Sequence, residues 1–401
     1  MSRLIHLEDV CSFMTGGTPK TSFSEYYQNG HIPWIVSGDI HQREIYDCEK
    51  RITNLGLEKS NAKYLPKDSV LIALNGQGKT RGTVALLKVD GMTCNQSIVS
   101  ITPKKDMELD VIYLFQILRS MYKKIRNITG DKDRAGLNIP LLKSIEIPLP
   151  PIAEQKQIAA ILDAADSLRQ KDQQLVEHYT ALSQSLFLEM FGDPVTNTMG
   201  WDLVKLGNVC GVGSSKRVFV NEFVESGVPF YRGTEVGQLG SGQSIKPHLF
   251  ISEQHYERFK KESGVPQIGD LLLPSICHDG RIWRVTTNKP FYFKDGRVLW
   301  IKVDSDAINS AYLRCFLKGL FLTKYSNYAS GTTFAELKIV ALKGMAILNP
   351  PIQLQNQFAE RISIIEQQKQ QAQTNLQKSE ALFNSLLQRA FTGELTADKA
   401  A

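Results

Sequence analysis

Apolar side chains follow two different rhythms along this chain. After Pro151 they recur at steps of three and four, at Ile158, Ile161, Ala165, Leu168, Leu175, Tyr179, Leu182 and Leu186, with Asp172 interrupting. After Pro351 the rhythm returns at Phe358, Ile362, Ile365, Ala372, Leu376, Phe383 and Leu386, with Lys369 and Ser379 as polar breaks. Such spacing over about four heptads predicts a long helix with a coiled-coil seam. Each helix starts just after Pro-Pro, which is tolerated because first-turn amides have no partner inside the helix. Gly192-Asp193-Pro194 should end the first helix and Thr392-Gly393 the second. About 38 residues at 1.5 Å rise make a rod of roughly 57 Å.

Elsewhere the apolar runs are short. Residues 69–74, 83–89 and 96–102 read as strands, as do 270–274, 281–287 and 297–303. Helix-like stretches near 110–124 and 308–322 follow them. Polar, Gly-rich segments lie between: Thr15 to Lys20, Asn75 to Arg81, Thr129 to Asn138, Gly213 to Arg217, Arg232 to Glu235, His278 to Arg281, and Ser330 to Thr333.

The elements repeat at a spacing of about 200, far longer than a solenoid unit. Pro150-Pro151-Ile152-x-x-Gln155-x-Gln157 returns as Pro350-Pro351-Ile352-x-x-Gln355-x-Gln357. Leu4-x-x-Leu7-x-x-Val10-Cys11 returns as Leu203-x-x-Leu206-x-x-Val209-Cys210, and Tyr113-Leu114 as Tyr312-Leu313. The order is kept throughout. This is a tandem duplication of a globular block followed by a long helix. The matches are dense in the helices and sparse in the blocks, so two similar frames carry two different blocks. An antiparallel pairing of the helices would place the blocks at opposite ends of a shared rod.

Charge sharpens this picture. The net charge is +6, but residues 1–149 hold 20 Lys and Arg against 16 Asp and Glu, and residues 200–348 hold 19 against 13. The intervening residues 150–199 are acidic, and residues 349–401 are neutral. Two basic blocks on a frame that does not attract polyanions suit contact with DNA at two places. The six cysteines form no Cys-x-x-Cys pair, which fits reduced thiols in a cytoplasmic protein. The opening MSRLIHLEDV lacks the apolar core of a signal peptide, and no apolar run could span a bilayer.

Motifs with catalytic overtones lack their context. Ala73-x-x-x-x-Gly78-Lys79-Thr80 resembles a Walker A loop, but a strand pattern follows where a phosphate-binding helix is needed. Asn349-Pro350-Pro351-Ile352 has Ile in place of the aromatic residue that amino-methyltransferases stack on a flipped base. Glu336-Leu337-Lys338 has no counterpart in the first half, and the seven histidines form no ligand-like cluster.

The segment Leu149-Pro-Pro-Ile-Ala-Glu-Gln-Lys-Gln-Ile158 resembles the specificity subunit of type I restriction–modification systems. Gly16-Gly17-Thr18-Pro19, Ile32-Pro33-Trp34, Gly38-Asp39-Ile40 and Phe391-Thr392-Gly393-Glu394-Leu395 resemble it too. The second copy departs in Gln353-Leu354-Gln355 and in Gly213-Ser214-Ser215-Lys216. The resemblance implies a mixed α/β (α+β) chain with pseudo-two-fold duplication, whose two long helices pair as an antiparallel coiled coil. Residues 1–149 and 193–348 would be target-recognition domains, 150–192 and 349–395 spacer helices, and 396–401 a tail. Each domain would read one half of a split DNA sequence. The helices would set the gap and dock two methyltransferase subunits, with motor–nuclease subunits completing the complex. S-adenosylmethionine and ATP would sit on those partners, with no cofactor, metal or catalytic residue on this chain. A fused methyltransferase or nuclease, or a coiled-coil scaffold that never touches DNA, are the other readings of the residues. Glycine admits close backbone approach, and the polar side chains beside it suit phosphates and base edges. The expected DNA contacts are therefore Thr18, Lys20, Asn75, Gln77, Lys79 and Arg81 in the first block. In the second they are Ser215, Lys216, Arg217, Arg232, His278 and Arg281.

Overall fold

A computed structural model describes residues 3–76, 78–128, 136–331, 335–392 and 394–397. The chain falls into two compact units, Met1–Lys171 with Leu376–Ala401, and Asp172–Asn375.

In the first unit the central sheet orders Cys11–Thr15, Ile98–Pro103, Val70–Ala73, Val84–Leu87 and Glu44–Ile45. The first four strands pair antiparallel and the last parallel. Val70–Ala73 and Val84–Leu87 are wholly buried, which explains their unbroken apolar runs. Val70, Ile72, Val84 and Leu86 face helix Val111–Ser120, while Leu71, Ala73, Ala85 and Leu87 pack with Ile35, Ile40 and Ile45. A smaller sheet joins Arg51–Ile52, Ile32–Ile35 and Thr93–Cys94. Arg3–His6 pairs antiparallel with Glu146–Leu149, bringing the start of the block to the start of the long helix.

The second unit repeats this plan. Its central sheet orders Cys210–Gly213, Val298–Val303, Leu271–Pro274 and Trp283–Arg284, all antiparallel, and helix Ser310–Lys324 packs in the same core. Leu203–Lys205 pairs with Ala346–Leu348 as Arg3–His6 does with Glu146–Leu149. A second sheet orders Phe223–Val224, Phe250–Ile251, Val228–Tyr231 and Tyr292–Phe293. Helices Gly233–Gly240 and Glu253–Ser263 are additions that the apolar rhythm did not reveal. The first is glycine-rich. The second is strongly polar and buries only Tyr256 and Phe259.

The long helices run Ile152–Phe191 and Ile352–Thr392. Gly192 stops the first in a left-handed conformation, φ 74°. The other expected stop, Gly393, lies outside the described residues. In the first unit Ile158, Leu162 and Ala165 share a core with Phe383 and Ala390. In the second, Phe187 and Phe191 stack edge-on against Phe358 with ring centroids 5.7 and 5.3 Å apart. Early residues of one helix thus meet late residues of the other, so the pair is antiparallel.

The Pro-Pro-Ile-x-x-Gln repeat owes its glutamine to this junction. Gln155 is fully buried; its Nε2 donates to the Pro150 carbonyl at 2.8 Å and its Oε1 accepts from the Asp110 amide at 2.9 Å. Gln355 does the same with Pro350 and Asn309, at 2.8 and 2.9 Å. Asp110 and Asn309 cap the block's last long helix in the two units. Each glutamine therefore ties the first turn of a spacer helix to the start of the helix packed beside it. Tyr113 and Tyr312 add an equivalent bond, their hydroxyls donating to the Pro148 and Leu348 carbonyls.

One detail of the seam differs from the expectation. Leu168, Leu175 and Leu182 are exposed. The buried stripe instead runs through Ile158, Leu162, Ala165 and Asp172 to Phe187 and Phe191. The helix turns its Leu162 and Asp166 side toward the block, and this rotates the leucine row outward.

Candidate nucleic-acid interface

In the first unit the ladder places Thr15 opposite Val99 and Ala73 opposite Ile98, while Ile72 pairs with Val84. The loops after Cys11–Thr15, after Val70–Ala73 and before Ile98–Pro103 therefore leave one edge of the sheet together. Hydrogen bonds join them: Thr18 Oγ1 donates to Gln96 Oε1, and the Leu74 amide donates to the Ser97 carbonyl at 2.8 Å. Thr18, Lys20, Asn75 and Lys79 are exposed here, and Arg81 is half-buried. Lys20 lies over the Phe23 ring. The Lys79 loop is held by its carbonyl, which accepts from Thr83 Oγ1 at 2.7 Å and from the Tyr122 hydroxyl at 2.9 Å. His41 joins the group through Thr80, 3.0 Å away. Gln77 lies outside the described residues.

The second unit brings the equivalent loops to the equivalent edge, since Gly213 faces Trp300 and Pro274 faces Val298. Ser215 Oγ donates to the Phe293 carbonyl at 2.6 Å, and the Lys216 amide to the Tyr292 hydroxyl at 2.9 Å. Lys216 and His278 are exposed, and His278 meets Tyr325 edge-on. Most cations here are held by acids: Arg217 by Asp295 at 3.0 Å, Arg232 by Glu235 at 3.0 Å, and Arg281 by Asp279 at 2.5 Å. Arg232 also contacts His248 Nε2 at 2.7 Å.

Sequence reasoning missed His41, Gln96 and Arg297. Arg297 sits at this edge, paired with Glu336, in the turn that Gly296 makes with φ 64°. The signal was the Asp295-Gly296-Arg297 turn immediately before a strand, in the place of Asn95-Gln96 in the first half. The Walker-like segment leads into strand Val84–Leu87 rather than a helix, so it offers no helix N-terminus to a phosphate. Pro350 and Pro351 lead directly into the second long helix, with the Pro350 carbonyl occupied by Gln355. All six cysteines are unpaired, and burial pushes the Cys11, Cys94 and Cys277 thiols up to about 12, away from thiolate chemistry. Among the described residues no group of His, Cys, Asp and Glu could hold a metal ion, and no helix is long and apolar enough to cross a membrane.

The type I restriction modification DNA specificity domain matches residues 3–178 and again 199–379. The chain belongs to that family. This type I specificity subunit is 26% identical to the specificity subunit of the type I restriction enzyme MjaIX of Methanocaldococcus jannaschii, over 98% of this chain and 93% of the other. It is 22% identical to the StySPI specificity subunit of Salmonella potsdam, over 93% and 84%. Its fold is also that of the type I restriction–modification S subunit of M. genitalium, with a TM-score of 0.63 over 98% of this chain and 96% of the other at 17% identity. As a specificity subunit it binds DNA sequence-specifically within a multi-subunit complex.

Proposed function

We propose that the specificity subunit reads a split DNA sequence with the two loop edges, one half-site each. Residues 1–149 and 193–348 act as separate recognition domains. Thr18, Lys20, Asn75, Gln77, Lys79 and Arg81 serve the first half-site, joined by His41 and Gln96. Ser215, Lys216, Arg217, Arg232, His278 and Arg281 serve the second, joined by Arg297. The observation that carries this reading is the convergence, in both units, of polar Gly-rich loops on the same edge of the central sheet. Lys and Arg would neutralise phosphates and position the chain, while Asn, Gln, Ser and Thr would face base edges.

The paired helices then set the gap between half-sites and dock two methyltransferase subunits, through which motor–nuclease subunits join. The exposed row Leu168, Leu175 and Leu182 supports the docking role, because a regular apolar row on a polar helix invites a partner. S-adenosylmethionine and ATP belong to those partners, and the complex acts on DNA in the cytoplasm.

Titrating cognate and unrelated duplexes at several salt concentrations tests the DNA surface. Lys79→Ala and Lys216→Ala should each weaken binding to both duplexes and flatten the salt slope by about one unit. Unchanged affinity and slope in both variants would place the DNA elsewhere.

A further inference from the structure

Aligning the halves on Tyr113 with Tyr312 and on Gln155 with Gln355 pairs Arg119 with Lys318, Asp166 with Glu366, Arg169 with Lys369 and Gln170 with Gln370. In the first half these groups form a closed node. The Asp166 carboxylate is fully buried and is met by Arg43 at 3.0 Å, Arg119 at 2.7 Å and Arg169 at 2.8 Å, with Gln170 donating at 2.9 Å.

In the second half the node is open. Arg314 takes the Glu366 carboxylate. Among the described residues neither Lys318 nor Lys369 has an acid within ion-pair distance, and Asp279, whose field reaches Lys318, is already held by Arg281. Where the first half brings in Arg43, the second has Gly240-Ser241-Gly242. A cavity of about 450 Å³ lies beside them, with Arg314, Lys318 and Lys369 on its wall; the first half has one of about 650 Å³ at the matching place, but there Asp166 holds both Arg119 and Arg169. Gly280, at φ 67°, makes room for Lys318: a Cβ there would fall 2.7 Å from Lys318 Cγ. Burial, then the charges of Lys318 and Arg314, hold the Lys369 ammonium below its ordinary range. The remaining wall is apolar at Phe187, Leu188 and Leu322, and carries the amides of Gln184, Gln370 and Gln373. The Asp193 carboxylate also lies there, but it accepts from the Val195 and Thr196 amides.

We infer that this cavity binds a small phosphate-bearing molecule of nucleotide size, whose phosphates supply the negative charge that Lys318 and Lys369 lack. Its volume lies in the range of small-ligand sites. Ammonium groups bind phosphate as point charges, and the apolar wall with its glutamine amides suits a base or sugar.

Calorimetric titration of the full chain with ADP, pyrophosphate and adenosine, beside thermal unfolding, tests the inference. ADP should bind at a single site and raise Tm, and adenosine should bind about tenfold more weakly or worse. Lys318→Gln with Lys369→Gln should weaken ADP by about tenfold or more. The unliganded Tm should hold or rise, since two repelling charges are gone. If that variant fails to fold, Gln373→Glu keeps the cations, adds an opposing charge to the wall, and should lose ADP equally. Absence of ADP binding at millimolar concentration, undiminished binding in both variants, or adenosine binding as tight as ADP would each overturn the inference. So would loss of duplex affinity in these variants without any ADP binding, which would make the two lysines DNA contacts.

Discussion

Where block meets helix, the two halves use the same contacts; at the edge that carries the polar loops they share almost none. Gln155 and Gln355 bond to the same two backbone positions at matching distances. At the loop edge the Thr15 and Ser214 hydroxyls still make one common bond, to the Ile98 and Val298 carbonyls, but beyond it Thr18 holds Gln96 in the first half, while Ser215 Oγ donates to the Phe293 carbonyl in the second. Among the described residues Lys20 and Lys79, like Lys216, have no acid within ion-pair distance, whereas Arg217, Arg232 and Arg281 each have one. A buried amide that leaves its partners unmade costs about 1–3 kcal/mol per group, which holds both glutamines to the same bonds. Side chains at a solvent-facing edge have water as an alternative, so the edges are free to diverge.

The largest contrast should come from the ion node. Asp166→Asn would leave three guanidinium groups around a neutral amide and cost about 3–5 kcal/mol, whereas Glu366→Gln, in the open node, should cost about 1 kcal/mol or less. Urea unfolding of both variants measures the difference. Burial alone would raise the Asp166 carboxyl, but Arg119 and Arg169 together overcome it and hold the group at about 2. Its folded value is therefore below its unfolded one. The stabilisation is present above the ordinary carboxylate range and is lost as pH falls from about 4 toward 2. Asp166→Asn should accordingly narrow its deficit as the pH falls through that window.

The junction should behave alike in both halves. Gln155→Ala and Gln355→Ala each strand a prolyl carbonyl and a capping amide, at a cost of about 2–3 kcal/mol. Unfolding midpoints that fall by clearly different amounts would break the equivalence. A smaller effect of opposite sign belongs to Gln116, which is fully buried, its side-chain amide without a hydrogen-bond partner among the described residues. The second half has Cys315 in its place. Gln116→Met should raise stability by about 1 kcal/mol, read as a higher urea midpoint.

Much of this architecture was legible because it rests on periodicity. The long helices, the main strands Val70–Ala73, Ile98–Pro103, Leu271–Pro274 and Val298–Val303, and the helices after them all follow apolar rhythms set by burial. The short strands of the smaller sheets were not legible, since pairs such as Thr93–Cys94 depend on distant partners. Helix Gly233–Gly240 was hidden by its glycines. The leucine row misled because Leu168, Leu175 and Leu182 keep a seven-residue spacing while facing away from the contact. Of the loop edge, the residues beside glycines were visible, but His41 and Gln96 arrive through tertiary contacts that no local pattern announces.

On the proposed reading, two independent edges share one frame. Exchanging residues 1–149 for the matching block of another specificity subunit, then mapping the modified sequence by methylation-sensitive sequencing in cells that supply the partner subunits, tests it most directly. One half-site should change while the other half-site and the gap stay as they were. A swap that altered both half-sites, or shifted the gap, would contradict it.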